Sequence, residues 1–191
     1  RPRPGAPPAR AVPAATAGAP APGERSAALS FGDYDAEIVE VRLMDAAGQD
    51  ATVFSPGEPM RIRVHVRTHK PLDRLNVALR IRNKQGVKVY SWGTLNQDIS
   101  IWSGRQEGPV FWDRRFDAGR MITVDFTCEC VLGADLYEVQ AAVTQELDRY
   151  YGDQRTLHWR DEAAFFQVLV RHQEYFFGGV CDMRMRADAG D

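Results

Sequence analysis

Met60-Arg61-Ile62-Arg63-Val64-His65-Val66-Arg67-Thr68 alternates without a break, with apolar residues at Ile62, Val64 and Val66 and cationic or imidazole side chains between them. Successive side chains of an extended strand point to opposite faces, so Ile62, Val64 and Val66 share one face and Arg61, Arg63, His65 and Arg67 the other. A helix would scatter these residues around its circumference, whereas a half-buried strand sorts them. The same period returns at Met121 to Cys130, where Ile122, Val124, Phe126, Cys128 and Cys130 oppose Thr123, Asp125, Thr127 and Glu129. It returns again from Leu136 to Gln145 through Tyr137, Val139, Ala141 and Val143. Further strands are predicted at 36–44, 75–82, 86–92, 156–159, 164–170 and 179–187, about nine in all.

Turn chemistry separates them: Ala46-Ala47-Gly48-Gln49, Ser55-Pro56-Gly57-Glu58, Asn83-Lys84-Gln85-Gly86 and Val131-Leu132-Gly133-Ala134. No long segment carries a 3.6-residue apolar stripe. Many short antiparallel strands with regular turns predict an all-β fold, an antiparallel β-sandwich of immunoglobulin-like or jelly-roll type, over residues 29–191.

Composition changes near residue 28. Seven of the 11 prolines fall in the first 22 residues among many alanines, with no aromatic residue, so residues 1–28 are expected to form a disordered Pro/Ala-rich linker. Arg1, Arg3, Arg10 and Arg25 against Glu24 give this tail a charge of +3, leaving the rest at -5. The stretch lacks the apolar core of a signal peptide. The chain starts with Arg rather than Met, which suggests a piece of a longer protein. Its 191 residues suit one ordinary domain with an appendage. A net charge of -2 gives no electrostatic footprint for nucleic acid. No apolar run reaches the ~18–20 residues of a membrane span. Three cysteines make no disulfide framework and point to a reducing compartment.

Catalytic and metal motifs are missing. The sequence has no G-x-x-x-x-G-K-[ST], no G-x-S-x-G and no dinucleotide fingerprint. Cys128 and Cys130 have no second pair to complete a zinc set, and read as small buried hydrophobes on the apolar face of their strand. His65 and His69 are four apart, which in extended chain is no shared face, and Asp33, Asp35 and Glu37 lack a calcium loop. The expectation is a non-enzymatic domain with no cofactor and no metal.

Binding is better supported. Trp92, Trp102, Trp112 and Trp159 fall between residues 90 and 160, joined by Tyr90, Tyr150 and Tyr151. With Val87 and Val89 facing the core, Lys88, Tyr90 and Trp92 would project outward, beside Asn76, Arg80 and Arg82 of the preceding strand. Aromatic planes among Arg, Asn and Gln suit sugars. The ring face takes the C–H face of a pyranose, and planar polar groups pair its hydroxyls. The competing reading has Trp102 and Trp112 covering a sandwich end and Trp159 filling the core.

Several segments together carry a family resemblance. They are Phe31-Gly32, Ala36-Glu37-Ile38, Val41 to Leu43, Asp45 with Gly48, Val53-Phe54, Pro56-Gly57-Glu58-Pro59, Ala78 to Asn83 with Gly86, and Tyr90 followed by Thr94 and Asn96. Tyr150-Tyr151, His158-Trp159, Asp161, Phe166-Gln167-Val168 and Gly179-Val180 continue the order. The ordered set resembles the C-terminal, carbohydrate-binding domain of Wzt-type ABC-transporter ATPase subunits over roughly residues 30–187. The sequence departs from that pattern between Leu95 and Asp117, where Trp102, Trp112 and Gly108-Pro109 stand.

The resemblance implies an immunoglobulin-like sandwich on the cytoplasmic side of the inner membrane. There it would bind a finished O-antigen-type polysaccharide for export. It also implies a homodimer made by exchange of the terminal strand 179–187, and contact with a membrane permease through an ATPase domain upstream of the linker. An unpaired edge strand is an association hazard that exchange resolves, and two sites per dimer would bind a repeating polymer with avidity. Tyr90, Trp92 and Asn96 are the preferred sugar contacts, followed by Arg80, Arg82, Trp102, Trp112 and His158. Two alternatives stay open: a structural or protein-interaction sandwich, and a glycan-binding domain appended to a glycosyltransferase or methyltransferase.

Overall fold

The structure, a computed structural model, describes residues 29–190. The linker expected over 1–28 lies outside them. The alternating segments form strands β1 (Ser30–Phe31), β2 (Ala36–Met44), β3 (Val53–Phe54), β4 (Pro59–Thr68), β5 (Leu72–Asp73) and β6 (Leu75–Asn83). They continue as β7 (Lys88–Gly93), β8 (Arg115–Phe116), β9 (Met121–Glu129), β10 (Asp135–Glu146) and β11 (Gln154–Val168), with one helix, α1 (Thr94–Trp102), after β7.

Two sheets make the sandwich. The larger runs β1-β11-β10-β6-β7, with β3 added in parallel at the far end of β11. The smaller is β2-β4-β9, and β5 pairs with β8 as a separate ribbon. The β4 alternation holds as read: Met60, Ile62, Val64 and Val66 are buried against Val77, Leu79, Val139, Ala141 and Val143 of the facing sheet. Each such side chain contributes ~1.5–3 kcal/mol by leaving water.

Several expectations need correction. Segments 156–159 and 164–170 are one strand, β11, and the break between them is a bulge: the β10–β11 register shifts between Val139 and Ala141, and Glu162 takes a φ of 47°. The segment 179–187 forms no strand. Cys181 makes an isolated antiparallel bridge to Leu132, and no ladder extends beyond it. Helix α1 has no counterpart in the sequence pattern. Its buried residues are Thr94, Leu95 and Asp98, so a carboxylate occupies a position where an apolar residue would have revealed the stripe. Cys130 is buried, whereas Cys128 is exposed, since the end of edge strand β9 faces an open groove rather than the opposite sheet.

The outward placement of Tyr90 and Trp92 is also overturned. Tyr90 pairs with Ile81 and Trp92 with Leu79, and directly opposed residues share a face, so both rings lie on the core side of the sheet. The cause is a register shift between Ile81 and Arg82: Arg82 pairs with Lys88, and Val89 is the extra residue of a bulge. One inserted residue reverses the parity of everything beyond it. Val87 is exposed, while Val89 packs against the core.

Candidate functional site

The outer face of the larger sheet is not an ordinary wet face. Along β10, Gln140, Ala142, Thr144 and Glu146 all point away from the core, and all four are buried. Their cross-strand neighbours on β6 are Arg80, Ala78 and Asn76, and Trp159 stands beside Ala142 on β11. Small Ala78 and Ala142 leave a depression between larger residues. Ser91 and Trp92 of β7, Asn96 of α1, and Tyr151 and Gln154 wall it in, giving a cleft of about 390 Å³.

The walls are fixed by hydrogen bonds. Asn76 Nδ2 donates to Glu146 Oε1 at 3.0 Å, and Asn76 Oδ1 accepts the Leu95 N–H at 3.1 Å, seating the start of α1 on the sheet. A side chain on Gly93 would stand 2.5 Å from Asn76 Oδ1, so this close approach needs glycine. Asn96 Oδ1 accepts from the Gly93 N–H at 2.8 Å and the Tyr151 hydroxyl at 2.7 Å. Tyr151 sits at φ 62°, a left-handed conformation costly for a bulky residue, in a turn held by Asp148 Oδ1, which accepts the Tyr150 and Gly152 N–H groups. Burial, and then the charge of Glu146, push the Tyr151 hydroxyl up to about 12.

Trp159 is held by three neighbours. Its Nε1 donates to Asp161 Oδ1 at 2.8 Å, the Arg80 guanidinium lies 4.6 Å from its ring centroid, and Phe31 stacks at 6.0 Å. Asp161 Oδ1 also accepts Gln140 Nε2 at 2.6 Å. Five buried side-chain polar atoms lack a partner among the described residues, and three surround this cleft: Arg80 Nε, Gln140 Oε1 and Glu146 Oε2. Buried polar groups are nearly always paired, and an unpaired one costs ~1–3 kcal/mol, so their concentration here makes this cleft the candidate site of the described residues.

The expected site residues divide between places. Arg80, Trp92 and Asn96 line the cleft together. Tyr90 stacks on Trp92 with centroids 6.5 Å apart, but it borders the groove between β7 and β9, with Ile62, Ile81, Phe126 and Cys128; Trp92, on the sheet edge, touches both hollows. Arg82 lies on the outer face beyond the cleft, its Nε donating to the Gly86 carbonyl at 2.9 Å, and so closes a turn. Trp102 and Trp112 pack edge to face at 5.8 Å with the Arg149 guanidinium 4.8 Å from Trp102, at the far end of α1 and outside the cleft. Asp98, 1% exposed, holds that region by accepting the Phe111 and Trp112 N–H groups at 2.7 and 2.8 Å.

His158 is not at the cleft either. It is 3% exposed on the core face opposite Val143, where Nδ1 accepts the Ile38 N–H at 2.8 Å and Tyr34 packs on the ring. Trp159, read from sequence as core filling, is the outward residue of this pair. Gln140, Thr144 and Glu146 gave no signal, because polar residues in alternation read as a solvated face.

Two antiparallel sheets around one core, with a polar and aromatic cleft sunk into an outer face, define a β-sandwich module. The model of the Wzt C-terminal domain family matches residues 28–183, and this chain belongs to that family. The crystal structure of the C-terminal domain of Wzt superposes with a TM-score of 0.70 at 14% identity, covering 84% of this chain and 87% of that one. A CARDB domain from Pyrococcus furiosus, solved in complex with two metal ions, gives a TM-score of 0.38 at 10% identity over 72% of this chain and 97% of its own. No curated protein matches the sequence. Among the described residues no helix is long and apolar enough to cross a membrane.

Proposed function

We propose that this chain recognises an O-antigen-type polysaccharide without altering it, as the C-terminal domain of an ABC-transporter ATPase subunit, and so selects the polymer for export. The observation that carries the reading is the pair Gln140 Oε1 and Arg80 Nε, both buried and unpartnered beside the indole of Trp159. Sugar hydroxyls both donate and accept, so one pyranose satisfies both atoms, while its C–H faces suit aromatic walls.

In this reading the domain sits at the cytoplasmic side of the inner membrane and meets the permease through its ATPase domain. It works as a homodimer that exchanges its terminal strand. The segment from Gly179 supports the exchange: its backbone joins the sandwich at one bridge, beside ion and hydrogen-bond contacts of Asp182 and Arg184, and Val180, Met183 and Met185 are exposed along a stretch that forms no ladder.

Titration of the chain with the exported polysaccharide of its source cell, followed by tryptophan emission and calorimetry, tests the proposal. Saturable binding that Trp159→Ala weakens at least tenfold, in a variant that still melts cooperatively, supports it. A folded chain indifferent to the polymer rejects it.

A further inference from the structure

We infer that the cleft takes an acidic sugar residue and that Arg80 is the side chain that selects it, by binding the carboxylate or phosphate oxygens of that residue; this rests on the polysaccharide reading above. Arg80 is the one charged residue in the cleft lining. Among the described residues its guanidinium makes no hydrogen bond and no ion pair; it lies over the Trp159 ring, 4.6 Å from Cζ to the centroid. Other arginines of the domain are matched by a carboxylate: Arg42 by Asp50, Arg63 by Asp125 and Arg155 by Asp33. The indole takes the flat face of the guanidinium and leaves its edge to the cleft. Nε is buried in the wall, whereas the two terminal nitrogens are not, and they form the planar fork that fits a pair of anionic oxygens.

The accessible groups beside this fork also donate. Ser91, the cross-strand neighbour of Arg80 on β7, is exposed and lines the cleft with a hydroxyl. Asn96 Oδ1 already accepts the Gly93 N–H and the Tyr151 hydroxyl, so its amide Nδ2 is the group left for a ligand. Two carboxylates stand behind the walls, and neither lines the cleft or bonds Arg80. Asp161 is taken by Gln140 and Trp159, and Glu146 by Asn76 and Thr144. Past the cleft, Arg82 follows Arg80 on β6, with Lys88 across from it on one side and Glu138 on the other. The lining thus supplies a cation and neutral donors and no charged acceptor. Hydrogen bonds from a guanidinium to an anionic oxygen are about twice as strong as those between neutral groups, and a sugar carboxylate or phosphate makes them where a hydroxyl does not.

The test titrates the 191-residue chain by calorimetry with the exported glycan of its source cell in three forms: native, with carboxylates reduced to alcohols, and with phosphates removed. The expected result is that one of the two derivatives binds at least tenfold more weakly than the native glycan, which tells carboxylate from phosphate. Arg80→Gln is expected to bring native and neutralised glycan within threefold of each other. Arg80→Met, which keeps the apolar stem against Trp159, answers the same question if the glutamine variant does not melt cooperatively. Two derivatives that each bind within tenfold of the native glycan, or binding of an exported glycan that carries neither acidic group, overturn the inference and leave polysaccharide recognition standing. A folded Arg80 variant that still discriminates more than threefold overturns the assignment to Arg80. Silence toward the native glycan by a folded chain removes that recognition, and this inference with it.

Discussion

Gln140 donates Nε2 to Asp161 Oδ1 across 2.6 Å, and this bond decides which atom of a buried amide faces the cleft. The same oxygen orients Trp159. Asp161→Ala removes the acceptor for both, and hydrogen bonds to a charged group contribute ~1.5–3 kcal/mol each. The variant is expected to lose about 2 kcal/mol of stability in urea and at least tenfold in polysaccharide affinity, with a shift in tryptophan emission. A variant that loses stability but keeps affinity would remove Asp161 from the positioning of the site.

Asp98 is the internal tie of the insertion between β7 and β8. Removing its carboxylate strands two backbone N–H groups, each a penalty of ~1–3 kcal/mol. Asp98→Ala is expected to unfold at clearly lower urea, to open the 103–114 segment to proteolysis and to separate the Trp102 and Trp112 rings. Equal protease resistance in wild type and variant would show that the segment is held by its other neighbours.

Acid should weaken the fold in two separate windows. Burial holds the His158 imidazole below its ordinary 6.5, with Glu37 opposing that shift and Arg160 adding to it. The unfolded chain therefore takes up this proton first, so the contribution of His158 is present above pH 6.5 and is lost as the pH falls from there toward the folded value. The size is ~1.4 kcal/mol for each unit of depression. Asp35, Asp125 and Asp182, held below 3.8 chiefly by hydrogen bonds with Lys70, Arg63 and Tyr175 respectively, fail only in the lower window. Urea midpoints measured against pH should show both steps, and His158→Gln should delete the upper one alone.

Thiol counting checks the edge of the sandwich. Cys128 and Cys181 are exposed and Cys130 is buried, so a thiol reagent is expected to modify two groups in the native chain and the third only in denaturant. Partial desolvation against the groove wall, and then the neighbouring Cys130, push the Cys128 thiol up, so its reaction should be slow at neutral pH. One reactive thiol, or three, would contradict the open groove beside β9.

Alternation alone placed the core of β4 and much of β6 and β10, because period two is a direct image of two opposite faces. It failed where the count slips by one residue. The bulge at Val89 carried Tyr90 and Trp92 to the core side, and no residue near it announces the extra position. It failed again where polarity and burial part company. Gln140 and Glu146 look like solvent-facing residues by type, and only the placement of α1, Tyr151 and Trp159 over them makes them interior. Helix α1 stayed hidden because Asp98, a carboxylate bound to backbone, occupies its buried face.

Strand β11 has a bearing on how the protein comes into being. It joins β1 at Phe31, takes the Ile38 N–H on His158 across 120 residues of chain, and closes against β3 at its end. A nascent polypeptide that has reached only β10 thus holds half of its largest sheet with no neighbour on one side, and no Trp159 to build the cleft. Folding must wait for these distant pairings, which in β-rich topologies of high contact order takes roughly milliseconds to seconds. Truncation before Val168 should therefore yield aggregation rather than a folded domain with a damaged cleft, and β11 must clear the ribosome before the cleft can exist.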